Sequence, residues 1–219
     1  GGGPGTGRVR SDSAVSGAGG APSTPTIRPS ARPRRKLDQR AILDNEGEMT
    51  RLLLFHPFQK ALVVADEASG LSVWNYEDGA KVCAFDNGNA ADSRVTAMTW
   101  LNEMDDALLL VASDDGTARV WKGVDLATQY GPQGGLGQTA ASGRCGLYDC
   151  PRLVSAWVSL PALALQPPGR SRGSGQLVDW QQQNGLLLAG GSAPCLNVWD
   201  LEREQCVMSV PTGTMLHRR

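Results

Sequence analysis

The sequence has 219 residues, a formal net charge of −1 and 41% hydrophobic residues, enough to bury the core of one or two ordinary domains. No apolar run approaches the roughly 18 residues that cross a bilayer, so membrane insertion is not expected. The five cysteines, whose number is odd and whose spacing completes no zinc pattern, favour free thiols in a reducing compartment: Cys83, Cys145, Cys150, Cys195 and Cys206.

Residues 1–36 differ in composition from the rest of the chain. They are rich in Gly, Pro, Ser and Arg, and they carry seven basic side chains against one acid, Asp12. Such a segment cannot bury enough apolar surface to offset the entropy of ordering, so we predict a disordered basic linker. Its run Arg32-Pro33-Arg34-Arg35-Lys36 could contact phosphates, but it has no interleaved aromatic residues to stack on bases, which favours a solvated linker.

The composition changes at Leu37, and residues 37–213 show the alternation typical of strands. We predict three sets of strands, near 41–86, 94–160 and 174–211. Asp78-Gly79 and Asp115-Gly116 are tight-turn signals within the first two sets. A loop insertion, 123–152, delays the last strand of the second set to 153–160. A further polar stretch, 161–174, is predicted as surface loop, and 214–219 as a ragged tail.

Aromatic residues recur at nearly constant positions in these sets. Trp74, Trp121 and Trp199 each close a short alternating run, as in Leu196-Asn197-Val198-Trp199. An earlier aromatic precedes each by 19, 21 and 19 positions, and Trp157 lies in the delayed strand. A β unit closed by Trp-Asp and repeated along a chain indicates propeller blades, although strands of a sandwich with chance tryptophans are the alternative. The structural repeat markers are Phe55, Trp74, Trp100, Trp121, Trp157, Trp180, Trp199, Asp115 and Gly116.

Residue patterns for chemistry are mostly missing. His56 and His217 are the two histidines, and neither has companions that suggest a metal ligand set or a nucleophile's base. The acid pairs Asp105-Asp106 and Asp114-Asp115 have the character of turns. The glycine-rich stretches lack the Gly-Lys-Ser/Thr that completes a phosphate loop. We therefore predict a protein that is not an enzyme and that uses neither a metal nor a cofactor.

An ordered set of motifs resembles one known family. The motifs in chain order are Asp44-Asn45-Glu46-Gly47, Phe55-His56-Pro57-Phe58, Gly70-Leu71-Ser72-Val73-Trp74, Asn87-Gly88-Asn89, Ser113-Asp114-Asp115-Gly116, Leu153-Val154-Ser155-Ala156-Trp157 and Val210-Pro211-Thr212-Gly213. Each alone is shared by many WD repeats, but together they resemble the C-terminal WD-repeat region of the Raptor family, the regulatory-associated proteins of the TOR kinase. The resemblance covers most of 38–213.

The resemblance implies a non-catalytic scaffold of TOR complex 1, acting through protein contacts in nutrient-responsive growth control. It implies the TOR kinase and other subunits of that complex as partners. It also implies nutrient-sensing GTPases, reached through parts of the family that this chain lacks. The implied location is the cytoplasm, with peripheral attachment at the lysosome or vacuole. The alternatives are a WD-repeat adaptor of another assembly, such as a ubiquitin-ligase substrate receptor, and a nucleic-acid binder acting through the basic arm.

The sequence also departs from the family pattern, because family members continue into further blades after Pro211-Thr212-Gly213. A closed propeller needs about 4–8 blades, and this chain supplies about three. The expected fold is therefore an all-β, partial WD-repeat propeller preceded by a disordered arm. Its first and last blades would expose strand edges and apolar faces, which predicts that the chain alone is unstable or aggregates.

Overall fold

The computed structural model describes residues 39, 42–45, 49–125, 151–167 and 173–213, all within the unit Gln39–Arg219. They form three four-stranded antiparallel sheets, each built from strands in chain order, which we call blades 1, 2 and 3. This architecture confirms the all-β prediction. The basic linker 1–36, most of the insertion 123–152 and the tail 214–219 lie outside the described residues.

The strands follow the alternating runs of the sequence closely. Blade 1 contains β1 (Thr50–Phe55), β2 (Ala61–Asp66), β3 (Gly70–Asn75) and β4 (Ala80–Asp86). Blade 2 contains β5 (Val95–Leu101), β6 (Leu108–Ser113), β7 (Thr117–Lys122) and β8 (Arg152–Val158). Blade 3 contains β9 (Gln176–Gln181), β10 (Leu186–Gly191), β11 (Cys195–Asp200) and β12 (Gln205–Pro211).

The first strands of the three blades lie next to one another, β1 beside β5 and β5 beside β9. Extra residues in the first two strands shape these junctions. The pairing of β1 shifts at Arg51, whose Nε donates to Val95 O of blade 2 at 2.9 Å. The pairing of β5 shifts at Thr96, whose Oγ1 donates to Gln176 O of blade 3 at 2.7 Å. Each bulge therefore re-aims a side chain towards the following blade.

A second bulge recurs at the outer edge of every blade. Opposite each third-strand tryptophan, the last strand carries one unpaired residue, and in all three blades that residue is a valine: Val82, Val154 and Val207. A bulge sharpens the local twist of an edge strand. The same device at the same place in each sheet shows that the three blades are copies of one unit.

The core lies between neighbouring blades and not within one sheet. One face of blade 1, with Val63 and Val73, packs on the tryptophan-bearing face of blade 2, with Leu109 and Trp121. The opposite face of blade 2 packs in the same way on the tryptophan-bearing face of blade 3. Because side chains alternate along a strand, every blade has two apolar faces and needs two neighbours to cover them.

The prediction of a polar surface loop over 161–174 was wrong for its first residues. Pro161–Ala164 form one helical turn, α1, with Pro161 at its start, where its missing N–H costs nothing. Leu160 and Leu163 are fully buried beside Gly116. The segment therefore covers the β6–β7 turn of blade 2.

Candidate functional site: the interfaces between blades

The aromatic markers occupy equivalent positions in the three blades. A leucine of the second strand pairs on one side with an aromatic of the first strand and on the other with the third-strand tryptophan. The triples are Phe55–Leu62–Trp74, Trp100–Leu109–Trp121 and Trp180–Leu187–Trp199. Directly paired residues share one face of a sheet. Each blade therefore presents two rings towards the blade that precedes it.

At the interface of blades 1 and 2, the rings are fully packed. Phe85 of β4 lies against Trp121, with ring centroids 4.8 Å apart. The Nε1 of Trp121 donates to Oδ1 of the buried Asn87 at 2.9 Å. Trp100 is 4% exposed and its Nε1 donates to Phe55 O at 3.1 Å. Both indoles thus bury their rings and satisfy their donors.

Asn87 also anchors a polar network at this interface. Its Nδ2 donates to Asn89 Oδ1, which further accepts from Ser113 Oγ at 2.8 Å and from Arg119 at 3.0 Å. Arg119 also donates to Gly88 O at 2.8 Å. These bonds join the segment after blade 1 to two strands of blade 2, so the contact between the blades is specific as well as apolar.

The Asp114-Asp115 pair has a structural role. Asp114 is 1% exposed, accepts from Ser93 Oγ at 2.7 Å and lies 3.4 Å from the Arg94 guanidinium. Asp115 accepts from the backbone and hydroxyl of Thr117 within the turn. These contacts engage both carboxylates in holding the β6–β7 turn.

Gly116 completes that turn at φ +82°, where its carbonyl accepts from Leu160 N at 3.0 Å. A Cβ at Gly116 would lie 2.3 Å from Leu160 O. The turn therefore needs glycine both for its backbone conformation and for the close approach of the chain before α1.

The interface of blades 2 and 3 repeats the first one with a looser fit. Trp157 of β8 occupies the position that Phe85 has in blade 1. The centroids of the Trp157 and Trp199 rings are 6.1 Å apart. The Nε1 of Trp199 donates to Ser159 O at 2.9 Å. The Nε1 of Trp157 is buried without a hydrogen-bond partner among the described residues.

A cavity of about 660 Å³ opens at this second interface. Trp157, Trp180 and Trp199 all line it and are only partly buried. We call this site the indole groove. Glu202 and Glu204 are the only charged residues among the described residues that line it. The site thus combines aromatic faces with negative charge.

The first blade shows what an uncovered interface looks like. Phe55 is 59% exposed, and its ring lies edge-on to that of Tyr76, with centroids 5.5 Å apart. Trp74 is 4% exposed, since Leu43 packs beside it and its Nε1 donates to Ser72 Oγ at 2.9 Å. Leu43 therefore covers part of a face that a complete preceding sheet would cover fully.

His56 is buried at the end of β1 and acts as an acceptor. Its Nδ1 accepts from the backbone N–H groups of Phe58 and Gln59 at 3.2 and 3.1 Å, and its ring lies 4.7 Å from Trp100. Burial lowers the pKa of His56, an effect that the nearby charges of Asp125 and Glu103 partly oppose. The neutral form is the one that holds the β1–β2 turn.

The remaining sequence predictions concern thiols, metals and membranes. Cys83, Cys195 and Cys206 form no disulfide, while Cys145, Cys150 and His217 lie outside the described residues. Within the described residues, no three His, Cys, Asp or Glu side chains are grouped to hold a metal ion. In the same part of the chain, no helix is long and apolar enough to cross a bilayer.

Sequence reasoning assigned no individual role to Phe85, Asn87, Glu202 or Glu204, although Asn87 lies in one of the motifs of the family resemblance. A signal for the first two exists in the sequence, because Phe85 precedes Asn87 by two positions just as Trp157 precedes Ser159. In each case, the later residue accepts the hydrogen bond of the next blade's tryptophan. The two glutamates carried no signal, since acidic residues in a turn are ordinarily solvated.

Comparisons with known proteins bear on the identity of these blades. No family model matches the sequence. The Arabidopsis thaliana protein named "Regulatory-associated protein of TOR 1" is 39% identical over 163 residues, which are 74% of this chain and 10% of the relative. The crystal structure of Chaetomium thermophilum Raptor is similar with a TM-score of 0.58 and 25% identity, over 78% of this chain and 13% of that chain.

The chain carries a Raptor-family region. Its three blades also match the crystal structure of RRP9 WD40 repeats, with a TM-score of 0.51 and 11% identity over 78% of this chain and 41% of that one. At that identity the likeness concerns the fold alone. It assigns the blades of the Raptor-family region to the WD-repeat propeller type.

The chain spans about a tenth of the length of the Arabidopsis relative. Two apolar faces are open among the described residues. Blade 1 exposes Leu53 and Phe55, and blade 3 exposes Leu177, Met208 and Val210. Both faces are apolar, like the faces that blades 1 and 2 bury against each other.

Proposed function

We propose that the chain is part of a non-catalytic scaffold subunit of TOR complex 1, which acts by protein contacts in nutrient-responsive growth control. The observation that carries the proposal is the match to a "Regulatory-associated protein of TOR" over three quarters of the chain. The aromatic repeat markers agree with it, because they pack one blade against the next. The proposed partners are the TOR kinase and other subunits of the complex. The proposed location is the cytoplasm, peripherally at the lysosome or vacuole.

The structure supports a display mechanism for this role. Buried networks such as Asn87–Asn89–Ser113 fix one blade against the next. Turns and edge strands therefore project from a rigid frame, which is where binding residues are commonly found. Among the described residues, the buried carboxylates hold turns, and the buried histidine bonds backbone groups. These contacts favour a binding role over catalysis.

The test is affinity purification of the full-length protein that contains this chain from its own cells. We expect the TOR kinase to co-purify with the intact protein, and deletion of 39–213 to weaken that association. Recovery of ubiquitin-ligase subunits without the TOR kinase would reject the proposal in favour of another WD-repeat adaptor. Salt-sensitive retention of nucleic acid that disappears with residues 1–36 would instead favour the basic arm as the functional element.

A further inference from the structure

We propose that the indole groove between blades 2 and 3 binds an arginine side chain presented by a segment of a partner protein. The proposal deepens the scaffold role by naming the chemistry of one contact. The groove offers three partly exposed indoles, Trp157, Trp180 and Trp199, and two carboxylates, Glu202 and Glu204. Indole faces attract cations, and a planar guanidinium both stacks on a ring and pairs with carboxylates.

The equivalent positions in blade 1 show what is particular to these two acids, of which Glu204 accepts a hydrogen bond from Ser155 Oγ of blade 2 at 3.4 Å through one carboxylate oxygen. Glu202 corresponds to Glu77, whose carboxylate pairs with Lys60 at 2.5 Å. In blade 3, the position of Lys60 is taken by Gly185, which supplies no cation. Arg203 lies between the two glutamates in sequence, but its guanidinium pairs with Asp200 at 2.9 Å. Glu202 has no cationic partner among the described residues.

Glu204 adds an independent observation. The turns β3–β4 and β11–β12 have equal length, and their fourth residues, Gly79 and Glu204, are both left-handed, at φ +68° and +53°. Glycine adopts this conformation without steric cost, whereas a residue with a Cβ does not. The chain therefore holds a glutamate at a strained position on the rim of the groove, where blade 1 has the relaxed residue. Strain of this kind is typical of binding sites.

The rings of the groove are also less constrained than their counterparts. Trp121 is 9% exposed and bonded to Asn87, whereas Trp157 has no hydrogen-bond partner for its indole N–H among the described residues. Trp180 donates to the exposed Gln182 at 2.6 Å, on the rim. The aromatic walls thus border open volume on one side, and a guanidinium entering the groove would meet ring faces without displacing the apolar core.

The experiment titrates the full-length protein that contains this chain with the peptide acetyl-Gly-Arg-Gly-amide. Isothermal titration calorimetry reports binding. We expect a saturable heat change, and binding about tenfold weaker for the same peptide with citrulline, which keeps the shape but loses the charge. Equal binding of the two peptides, no saturation, or equal binding of the lysine peptide would overturn the assignment.

Three variants separate the site from the fold. Glu204→Gly restores the residue found in blade 1, so it should raise the melting temperature while it weakens arginine binding severalfold. Glu202→Gln should weaken binding without altering stability, and the matched control Glu77→Gln should leave binding unchanged. Undiminished binding in Glu204→Gly and Glu202→Gln would reject the groove. The outcome is independent of whether the TOR kinase co-purifies.

Discussion

Two indole N–H groups at the interface of blades 2 and 3 differ in their hydrogen bonding. Trp199 donates to Ser159 O, whereas the N–H of Trp157 is buried without a partner among the described residues. Replacing either by phenylalanine removes similar ring area, but only Trp199→Phe removes a hydrogen bond, which leaves Ser159 O with Asn197 Nδ2 as its remaining donor at 3.1 Å. We expect Trp199→Phe to destabilise the chain by about 1 kcal/mol more than Trp157→Phe. Denaturant titration of both variants measures the difference.

Phe85 supports this expectation, because blade 1 already places phenylalanine at the position of Trp157. Equal losses of stability in the two variants would show that ring packing, and not the hydrogen bond, dominates at this interface.

His56 gives the fold a dependence on pH. Burial lowers the pKa of His56 in the folded state below the ordinary value of about 6.5 that it has in the unfolded chain. Below pH 6.5 the unfolded chain therefore binds the proton more readily, and the stability contributed by neutral His56 is lost as pH falls. We expect the free energy of unfolding to decrease between pH 7.5 and 5.5.

The control is His56→Asn, whose side-chain oxygen can accept the same backbone N–H groups but does not titrate. Its stability should change less over the same interval than that of the unmodified chain. An equal decline in both proteins would assign the pH dependence to other groups.

At the scale of the turns, two glycines with the same sequence context differ in how much space a side chain would have. Both follow an aspartate and both have positive φ, +68° at Gly79 and +82° at Gly116. A Cβ at Gly79 meets only Leu43 Cδ2 at 3.7 Å, whereas at Gly116 it meets Leu160 O. Gly79→Ala should cost about 1–2 kcal/mol for its backbone conformation, and Gly116→Ala should cost more. Thermal unfolding of the two variants would rank them, and equal losses would refute the role of Leu160.

The strands themselves could be predicted because their causes are local. Alternation, Asp-Gly turns and the spacing of Trp74, Trp121 and Trp199 place all three sheets and the fold class. The helical turn Pro161–Ala164 could not be placed, since it is held by burial of Leu163 beside Gly116, 47 positions earlier. The valine bulges depend on register against a neighbouring strand, which a single run does not encode.

The groove was hidden from sequence for a related reason. The sequence positions of Trp157 and Trp199 would be the same if the two rings were tightly packed. Their ring centroids lie 6.1 Å apart, and Glu202 has no cationic partner among the described residues because Gly185 stands where blade 1 has Lys60. Such a difference becomes visible only after the blades are superposed residue by residue.

At the scale of the whole molecule, each apolar face is stable only when another blade covers it. Blade 2 has both faces covered, and five of the six residues of its strand β6 are buried. Blade 3 has one face open, and all seven residues of β12 are exposed. Stability should therefore be lowest at the ends of the array, as in repeat proteins whose terminal units lack caps.

We expect the chain alone to self-associate or aggregate through the open apolar face of blade 3. Leu177, Met208 and Val210 are 55%, 55% and 39% exposed on one face, and paired strands place them beside Leu196 and Val198. An apolar face of this kind, ending in an unpaired edge strand, is a template for association. Sedimentation velocity should show species larger than a monomer that grow with concentration.

Charge placed on that face should reverse the association. We expect Val210→Lys and Leu177→Lys each to shift the chain towards monomer, because a lysine would have to be desolvated for the faces to meet. Met104→Lys is the matched control, since Met104 is 85% exposed in the β5–β6 turn and away from both open faces. A sharp, reversible melting transition from monomeric chain in dilute buffer would contradict the prediction. It would mean that the two end blades are stable without the neighbours that their apolar faces require.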